Sequence, residues 1–300
     1  MTAVNKSQQL RYPDFLCIGA QKAGTTWLQR ALRQHPDIWL PPFKEIQYFN
    51  HVHRRGMINL ESAPAPLDAR RLDKMLGAMQ GTLAGSLSSE QKLARVYCLS
   101  LIARAERNDE WYGRIFREAP DAAVCGEISP DYAVLPDAGV EHIVRLQPNT
   151  KFIFIMRDPI ERGWSYLRMD EAQGVAQQVP HLQRISGAAF MAYSDYMTTI
   201  ERYRRHTTSQ NFLMLFFDDI VNRPRELLRE TCLFVGVDDA RGRFTAADRA
   251  INVGQQKPMD DEIYARFRAV FAPIYERLLE LDHPVVKQWY RKHYGDRGRQ

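Results

Sequence analysis

The stretch from Asp14 to Pro36 constrains this chain more than any other. Asp14-Phe-Leu-Cys-Ile-Gly19 is a short apolar run ending in glycine, the pattern of a buried strand that meets a loop. From Thr25 to Gln34 the chain carries Leu28, Ala31 and Leu32 at helical spacing, and His35-Pro36 stops the helix. Strand, glycine-bounded loop and helix together leave the first backbone N–H groups of the helix directed at the loop. That arrangement holds a phosphate.

Further strands and helices alternate along the chain. Lys151-Phe-Ile-Phe-Ile-Met156 is apolar on both faces, as central parallel strands are, and Phe212 to Phe217 is similar. Ala122-Ala-Val-Cys125 reads as a short strand. Helices are expected over Gly139–Leu146, after Arg157-Asp158-Pro159 through Trp164 to Met169, over Phe190–His206, and over Arg225–Phe234, closed by Gly236. One long amphipathic helix from Asp260 to Leu281 precedes a shorter one. The expected fold is α/β: a P-loop-like three-layer α/β/α arrangement with a central parallel sheet. Residues 1–300 read as a single domain. Within it, 51–110 is a helical insertion opened by the linker-like Ala63-Pro-Ala-Pro66, with helical patterns from about Leu67 and over Ser89–Arg107. Residues 173–186 read as a polar loop, and 259–294 as C-terminal helices.

Composition bounds the partners. Of 300 residues, 45% are hydrophobic and 26% charged, ordinary for a globular protein. A net charge of +5 and a pI near 9.0 suit an anionic ligand but are too weak to indicate nucleic acid. The four cysteines, Cys17, Cys98, Cys125 and Cys232, are scattered and read as reduced thiols. The N-terminus is polar, and no run of about 18 apolar residues occurs, so neither a signal peptide nor a membrane span is expected. A cytoplasmic location is the expectation.

The loop itself departs from that of an ATPase. Gly19-x-x-x-x-Gly24 has the Walker spacing, yet Thr25 stands where the lysine should follow, and Lys22 lies inside the loop. Glycine curvature, the helix N-terminus and the Lys22 charge still make an anion site. The best strand ends in Arg157 rather than in a magnesium-binding aspartate. On these residues alone a kinase-like phosphotransferase and a non-catalytic nucleotide-binding module stay open beside other phosphate-handling enzymes.

Four motifs in order narrow the choice. Phe15-Leu-Cys-Ile-Gly-Ala-Gln-Lys-Ala-Gly-Thr-Thr-Trp-Leu28, followed by His35-Pro36, resembles the 5′-phosphosulfate loop of sulfotransferases. Lys151 to Leu167 is similar to their 3′-phosphate segment: a strand, Arg-Asp-Pro, then a helix bearing a serine. Lys44-Glu45-Ile-Gln-Tyr-Phe49 and Glu127-Ile-Ser-Pro-Asp-Tyr132 resemble the heparan-sulfate-type branch. The likeness covers residues 14 to 170 and continues more weakly to about 280.

The resemblance implies an enzyme that moves a sulfuryl group from 3′-phosphoadenosine 5′-phosphosulfate (PAPS) to an acceptor hydroxyl by in-line displacement, without a metal. By it Lys22 contacts the bridging and sulfuryl oxygens, and Ala23, Gly24, Thr25 and Thr26 hold the 5′-phosphate. Arg157 and Ser165 bind the 3′-phosphate. Glu45 is the general base, and Lys44 lies near the transferring group. Trp27 either stacks on adenine or packs in the core. Three departures bear on the acceptor and on closure of the site. Ile128 and Gln47 replace a lysine and a histidine of the glycan enzymes, so the acceptor is a small molecule, natural product or lipid at least as readily as a glycan. The late Lys-Gly-Arg loop appears as Val253-Gly-Gln255, with Lys257 as the substitute cation. The resemblance does not fix the oligomeric state.

Other features take structural readings. His51-x-His53 lacks companion ligands and reads as surface histidines. Asp158 and Asp218-Asp219 read as helix caps, Arg202 to Arg205 as a solvated face, and Tyr193, Tyr196 and Tyr203 as core.

Overall fold

A computed structural model describes residues 10–53, 69–104, 107–172, 181–245 and 257–295. The chain opens with β1 (Phe15–Gly19), α1 (Thr25–Leu32), β2 (Ile38–Trp39) and α2 (Tyr48–His53). Three helices follow, α3 (Ala69–Ala84), α4 (Ser89–Ile102) and α5 (Asp109–Phe116), then β3 (Val124–Ile128), a 3₁₀ turn at Pro130–Val134 and α6 (Asp137–Leu146). Next come β4 (Lys151–Met156), α7 (Pro159–Ala172), α8 (His181–Ile185), α9 (Ala188–Ala192) and α10 (Tyr196–His206). The last part holds β5 (Phe212–Phe216), α11 (Phe217–Asn222), α12 (Pro224–Val235), α13 (Asp261–Leu278) and α14 (Pro284–Tyr294).

The five strands form one parallel sheet in the order β2-β3-β1-β4-β5. β1 is central, and Phe15, Leu16, Cys17 and Ile18 are all fully buried. The same holds for Phe152 to Met156 of β4, paired with β1 on one side and β5 on the other. Such strands are apolar on both faces because helices cover both faces. The chain winds outward from β1 to β2 and back to β3, then crosses to β4 and β5. That reversal puts a crevice at the carboxyl ends of β1 and its two neighbours, the usual ligand position in an open α/β sheet.

The expected parallel α/β/α fold is therefore the one observed, with local corrections. The helix expected over Phe190–His206 breaks at Tyr193-Ser194-Asp195, because the Asp195 carboxylate accepts from Thr198 N at 3.2 Å and caps a new helix. Tyr196 and Tyr203 are core, but Tyr193 is half-buried and donates to Asp131 Oδ1 at 3.2 Å. Asp218 and Asp219 do not cap. Asp218 accepts from Trp289 Nε1 at 3.2 Å, and Asp219 pairs with Arg223 at 2.7 Å. His53 is no isolated surface histidine: its Nε2 lies 2.8 Å from His142 Nδ1, whose other nitrogen meets Asp109 at 2.6 Å. Arg205 of the basic cluster is exposed and pairs with Asp137 at 2.8 Å, whereas Arg202 donates to the Ala133 carbonyl at 3.2 Å. Within 173–186, the five residues His181–Ile185 are helical. Ala63 to Pro66 and Val253 to Gln255 lie outside the described residues.

All four cysteines are free and buried. Among the described residues no helix is long and apolar enough to cross a membrane.

Candidate active site

β1 delivers the loop. Gly24 is the N-cap of α1 with φ +91°, no side chain caps that helix, and its first turn holds no acidic residue. The leading N–H groups of α1 and the positive end of its dipole therefore face the crevice uncompensated. Gly24 also allows α11 to close in: a Cβ there would meet Ile220 Cδ1 at 2.5 Å and Phe217 Cδ2 at 3.2 Å.

Cations converge on this helix end from three elements. Lys22 Nζ contacts Met169 Sδ of α7 at 3.5 Å. Its pKa is lowered, first by burial and then by the charges of Arg157, Arg168 and Lys44. Arg157, at the end of β4, donates to the Lys22 carbonyl at 3.1 Å and lies 4.4 Å over the Phe217 ring. Lys44 donates to Thr26 Oγ1 at 2.9 Å and to Thr25 Oγ1 at 3.5 Å. Four positive charges gather here, offset in part by Glu45 at 3.1 Å from Lys44 and Glu161 at 3.8 Å from Arg157, and could hold a multiply charged anion.

Ser165 is half-buried on α7, three and four residues before Arg168 and Met169, and so shares their helix face toward Lys22. Arg168 was not singled out by the sequence, although that spacing from Ser165 would have found it. Lys257 comes near the same helix by its backbone: its carbonyl accepts from Trp164 Nε1 at 3.2 Å. Its ammonium, however, lies 3.6 Å from Glu171 and well exposed, rather than among the cations of the loop. Ala23, within the loop, is fully buried. Trp27 is 4% exposed and part of the core cluster.

Glu45 meets this cluster through Lys44, at 3.1 Å. Glu45 and Gln47 have φ of +61° and +57°, and Lys22 has +70°. Non-glycine residues hold such angles only where surroundings over-determine them. Here the determinant is the turn after β3. Glu127 is 2% exposed and accepts from Tyr112 at 2.5 Å, Tyr132 at 3.0 Å, Ser129, and the Gln47 backbone N–H at 3.4 Å. Burial raises its pKa against these four bonds, and among the described residues it makes no ion pair. The Gln47 side chain donates to Asp131 Oδ2 at 2.7 Å. Gln47 is thus held at both ends, by a carboxylate of β3 and one of the turn after it, which fixes the loop carrying Glu45. Ile128, where a lysine was expected by resemblance, is 2% exposed and points into the core.

Behind Arg157, Asp158 caps α7 by accepting from Ile160 N at 3.0 Å. His293 of α14 meets its other oxygen at 2.7 Å, Tyr275 donates to Oδ1, and Lys292 lies 3.6 Å away. Burial alone would raise the Asp158 pKa, but His293, Tyr275 and Lys292 outweigh it and hold the carboxyl below its usual value. The C-terminal helix thereby braces the strand end that presents Arg157. Neither His293 nor Tyr275 carries a local sequence signal, since both reach the site from more than 100 residues away.

A parallel sheet with an uncapped, cation-ringed helix N-terminus at its switch point is a P-loop-like α/β arrangement. A sulfotransferase from Alicyclobacillus acidocaldarius has this fold, with TM-score 0.63 over 94% of this chain and 100% of that one at 21% identity. The sulfotransferase domain of the curacin biosynthetic pathway gives 0.50 over 90% and 98% at 17% identity. Residues 13–241 match the profile of the sulfotransferase family, and the chain belongs to that family. It is 25% identical over 156 residues to the membrane-associated sulfotransferase kil1 of Dictyostelium discoideum, covering 51% of this chain and 22% of that protein. Carbohydrate sulfotransferase 15 of Homo sapiens is 27% identical over 161 residues, covering 51% and 26%. The chain thus spans about a quarter of the length of these relatives.

Proposed function

We propose that the protein transfers a sulfuryl group from PAPS to the hydroxyl of a small-molecule, natural-product, lipid or glycan acceptor, with Glu45 as general base. The observation that carries this reading is Lys44, which bridges the Thr26 hydroxyl at the helix N-terminus and the Glu45 carboxylate. One cation thus links the site fitted to a phosphate with a carboxylate fitted to take a proton.

The donor would supply the sulfuryl group, whose bond to a phosphate oxygen breaks as the acceptor oxygen bonds to sulfur. Gly24, Thr25 and Thr26 hold the 5′-phosphate, with Ala23 packed beneath, and Lys22 and Lys44 offset the negative charge that grows on the departing phosphate oxygen. Preorganised charge of this kind is usually the largest catalytic contribution. Arg157 and Ser165 hold the 3′-phosphate, with Arg168 beside them. Glu45 accepts the hydroxyl proton as the new bond forms. Residues 51–110 would then be a helical insertion in a single sulfotransferase domain.

The test is Glu45→Gln with labelled donor and an acceptor found by screening. The expected result is a fall in kcat of about 10²–10⁴, with affinity for the spent 3′,5′-bisphosphate unchanged. Full transfer by the variant would show that Glu45 is not the base.

A further inference from the structure

Arg157 stands where β4 gives way to α7, and it is held there twice. Its guanidinium donates to the Lys22 carbonyl at 3.1 Å, lies over the Phe217 ring and stands 3.8 Å from Glu161, which Lys292 approaches at 2.9 Å from the other side. Its backbone is held by a separate element. The Arg157 carbonyl lies past the last paired residue of β4, and the Tyr196 hydroxyl of α10 donates to it at 2.7 Å. A hydrogen bond to that oxygen fixes the plane of the peptide joining Arg157 to Asp158, and so the frame from which the Arg157 side chain departs.

Tyr196 is itself firmly placed. It is 1% exposed, and its ring meets Phe154 of β4 edge-on at 5.6 Å. Two residues earlier, Ser194 accepts from Arg162 Nε of α7 at 2.7 Å. Arg162 is 1% exposed, donates also to the Phe190 carbonyl at 3.3 Å and lies 5.1 Å over the Phe190 ring. Among the described residues it has no carboxylate partner, so this buried cation is given over to the connection between α9 and α10. Asp195, between Ser194 and Tyr196, pairs with Arg277 of α13 at 3.2 Å. The start of α10 therefore grips α7 at Arg162 and the approach to α7 at Arg157. Burial pushes the Tyr196 hydroxyl up to about 12 against the charges of Arg162 and Arg157, so it keeps its proton and stays a donor.

We propose that Tyr196 is a positioning residue for the donor site: by holding the Arg157 carbonyl it sets the guanidinium where a 3′-phosphate is gripped, and so supports the preference for a nucleotide that carries one. The inference rests on the proposed PAPS reading, in which Arg157 takes the 3′-phosphate. Phenylalanine at this position keeps the ring on Phe154 and removes one neutral hydrogen bond, worth roughly three- to tenfold in affinity.

The test is calorimetry with adenosine 3′,5′-bisphosphate and adenosine 5′-monophosphate, on the wild type, Tyr196→Phe, Arg157→Ala and the double variant. The wild type is expected to prefer the bisphosphate. Tyr196→Phe should lose roughly three- to tenfold of that preference with its affinity for the monophosphate unchanged, and the loss should vanish where Arg157 is already alanine. Tyr203→Phe is the control. It removes an equally buried hydroxyl of α10, one that donates to the Tyr132 carbonyl at 2.8 Å, and should leave the wild-type ratio. Equal weakening of both nucleotides by Tyr196→Phe, failure to fold included, would make the residue merely structural and overturn the proposal. So would an unchanged ratio, or an equal loss in the Arg157→Ala background. A wild type that binds the two nucleotides alike would end the donor reading itself, and the proposal with it.

Discussion

Replacing Gly24 by alanine separates the backbone requirement of the loop before α1 from its charges. At φ +91° and ψ 10° the residue lies in left-handed space, beyond the usual centre of that region near +57°. An L-residue there costs roughly 1–2 kcal/mol whatever its surroundings. The added Cβ would also fall 2.5 Å from Ile220 Cδ1 and 3.2 Å from Phe217 Cδ2. Ile220 is half-buried and its Cδ1 is the free end of the side chain, so it can turn aside at a cost of about 1 kcal/mol, the low end for overpacking. Backbone strain is the larger contribution, and the sum is about 2–3 kcal/mol. Urea unfolding of Gly24→Ala should show that loss, and, on the proposed PAPS reading, calorimetry should show weaker bisphosphate binding, because Phe217 also underlies Arg157. Adding Ile220→Val, which lacks the clashing atom, should restore no more than the overpacking part. A Gly24→Ala protein within about 0.5 kcal/mol of wild type, the scatter of ordinary surface changes, would refute the reasoning. Full rescue by Ile220→Val would refute the primacy of the backbone.

Glu127→Ala should cost about 3–5 kcal/mol, since it leaves the buried hydroxyls of Tyr112, Tyr132 and Ser129 without their acceptor. Glu127→Gln should cost far less. Because burial raises the folded pKa of Glu127, the wild type should lose stability as pH rises from about 4.5 through that higher value, and the glutamine variant should lack this step in urea titrations at several pH values. A pH profile identical in both proteins would contradict it. His293→Ala removes the partner of a buried Asp158 and should cost about 3 kcal/mol, somewhat eased by Lys292 and Tyr275. Asp158 has a lowered folded pKa, so its contribution is present above about 3.8 and is lost as pH falls through the folded value. Circular dichroism should therefore show acid unfolding of His293→Ala at a higher pH than wild type, and an unchanged midpoint would remove His293 from that role.

How much was legible in advance follows from how local each signal is. β1, β4 and β5 were readable because a strand buried on both faces must be apolar throughout, and α12 because Gly236 closes it in left-handed conformation. The two-residue β2 and the short α11 escaped because neither is long enough to show a period. The loop between β1 and α1 was legible for a similar reason: strand, glycine and helix start lie within 12 residues, from Phe15 to Thr26, so its shape is written in one local pattern. What the sequence by itself determined was this loop, the parallel α/β class and a short set of motif residues. Only the tertiary structure decided that Arg168 joins the cations, that His293 braces Asp158 from the last helix, and that Glu127 and Asp131 hold Gln47. The hydrogen-bonded partners among these are 80 to 135 residues apart, and nothing in a linear pattern specifies which buried carboxylate a distant donor will meet. The close packing of sheet ends and loops makes that choice, because a polar group shut away from water must find its partner in whatever the fold brings beside it.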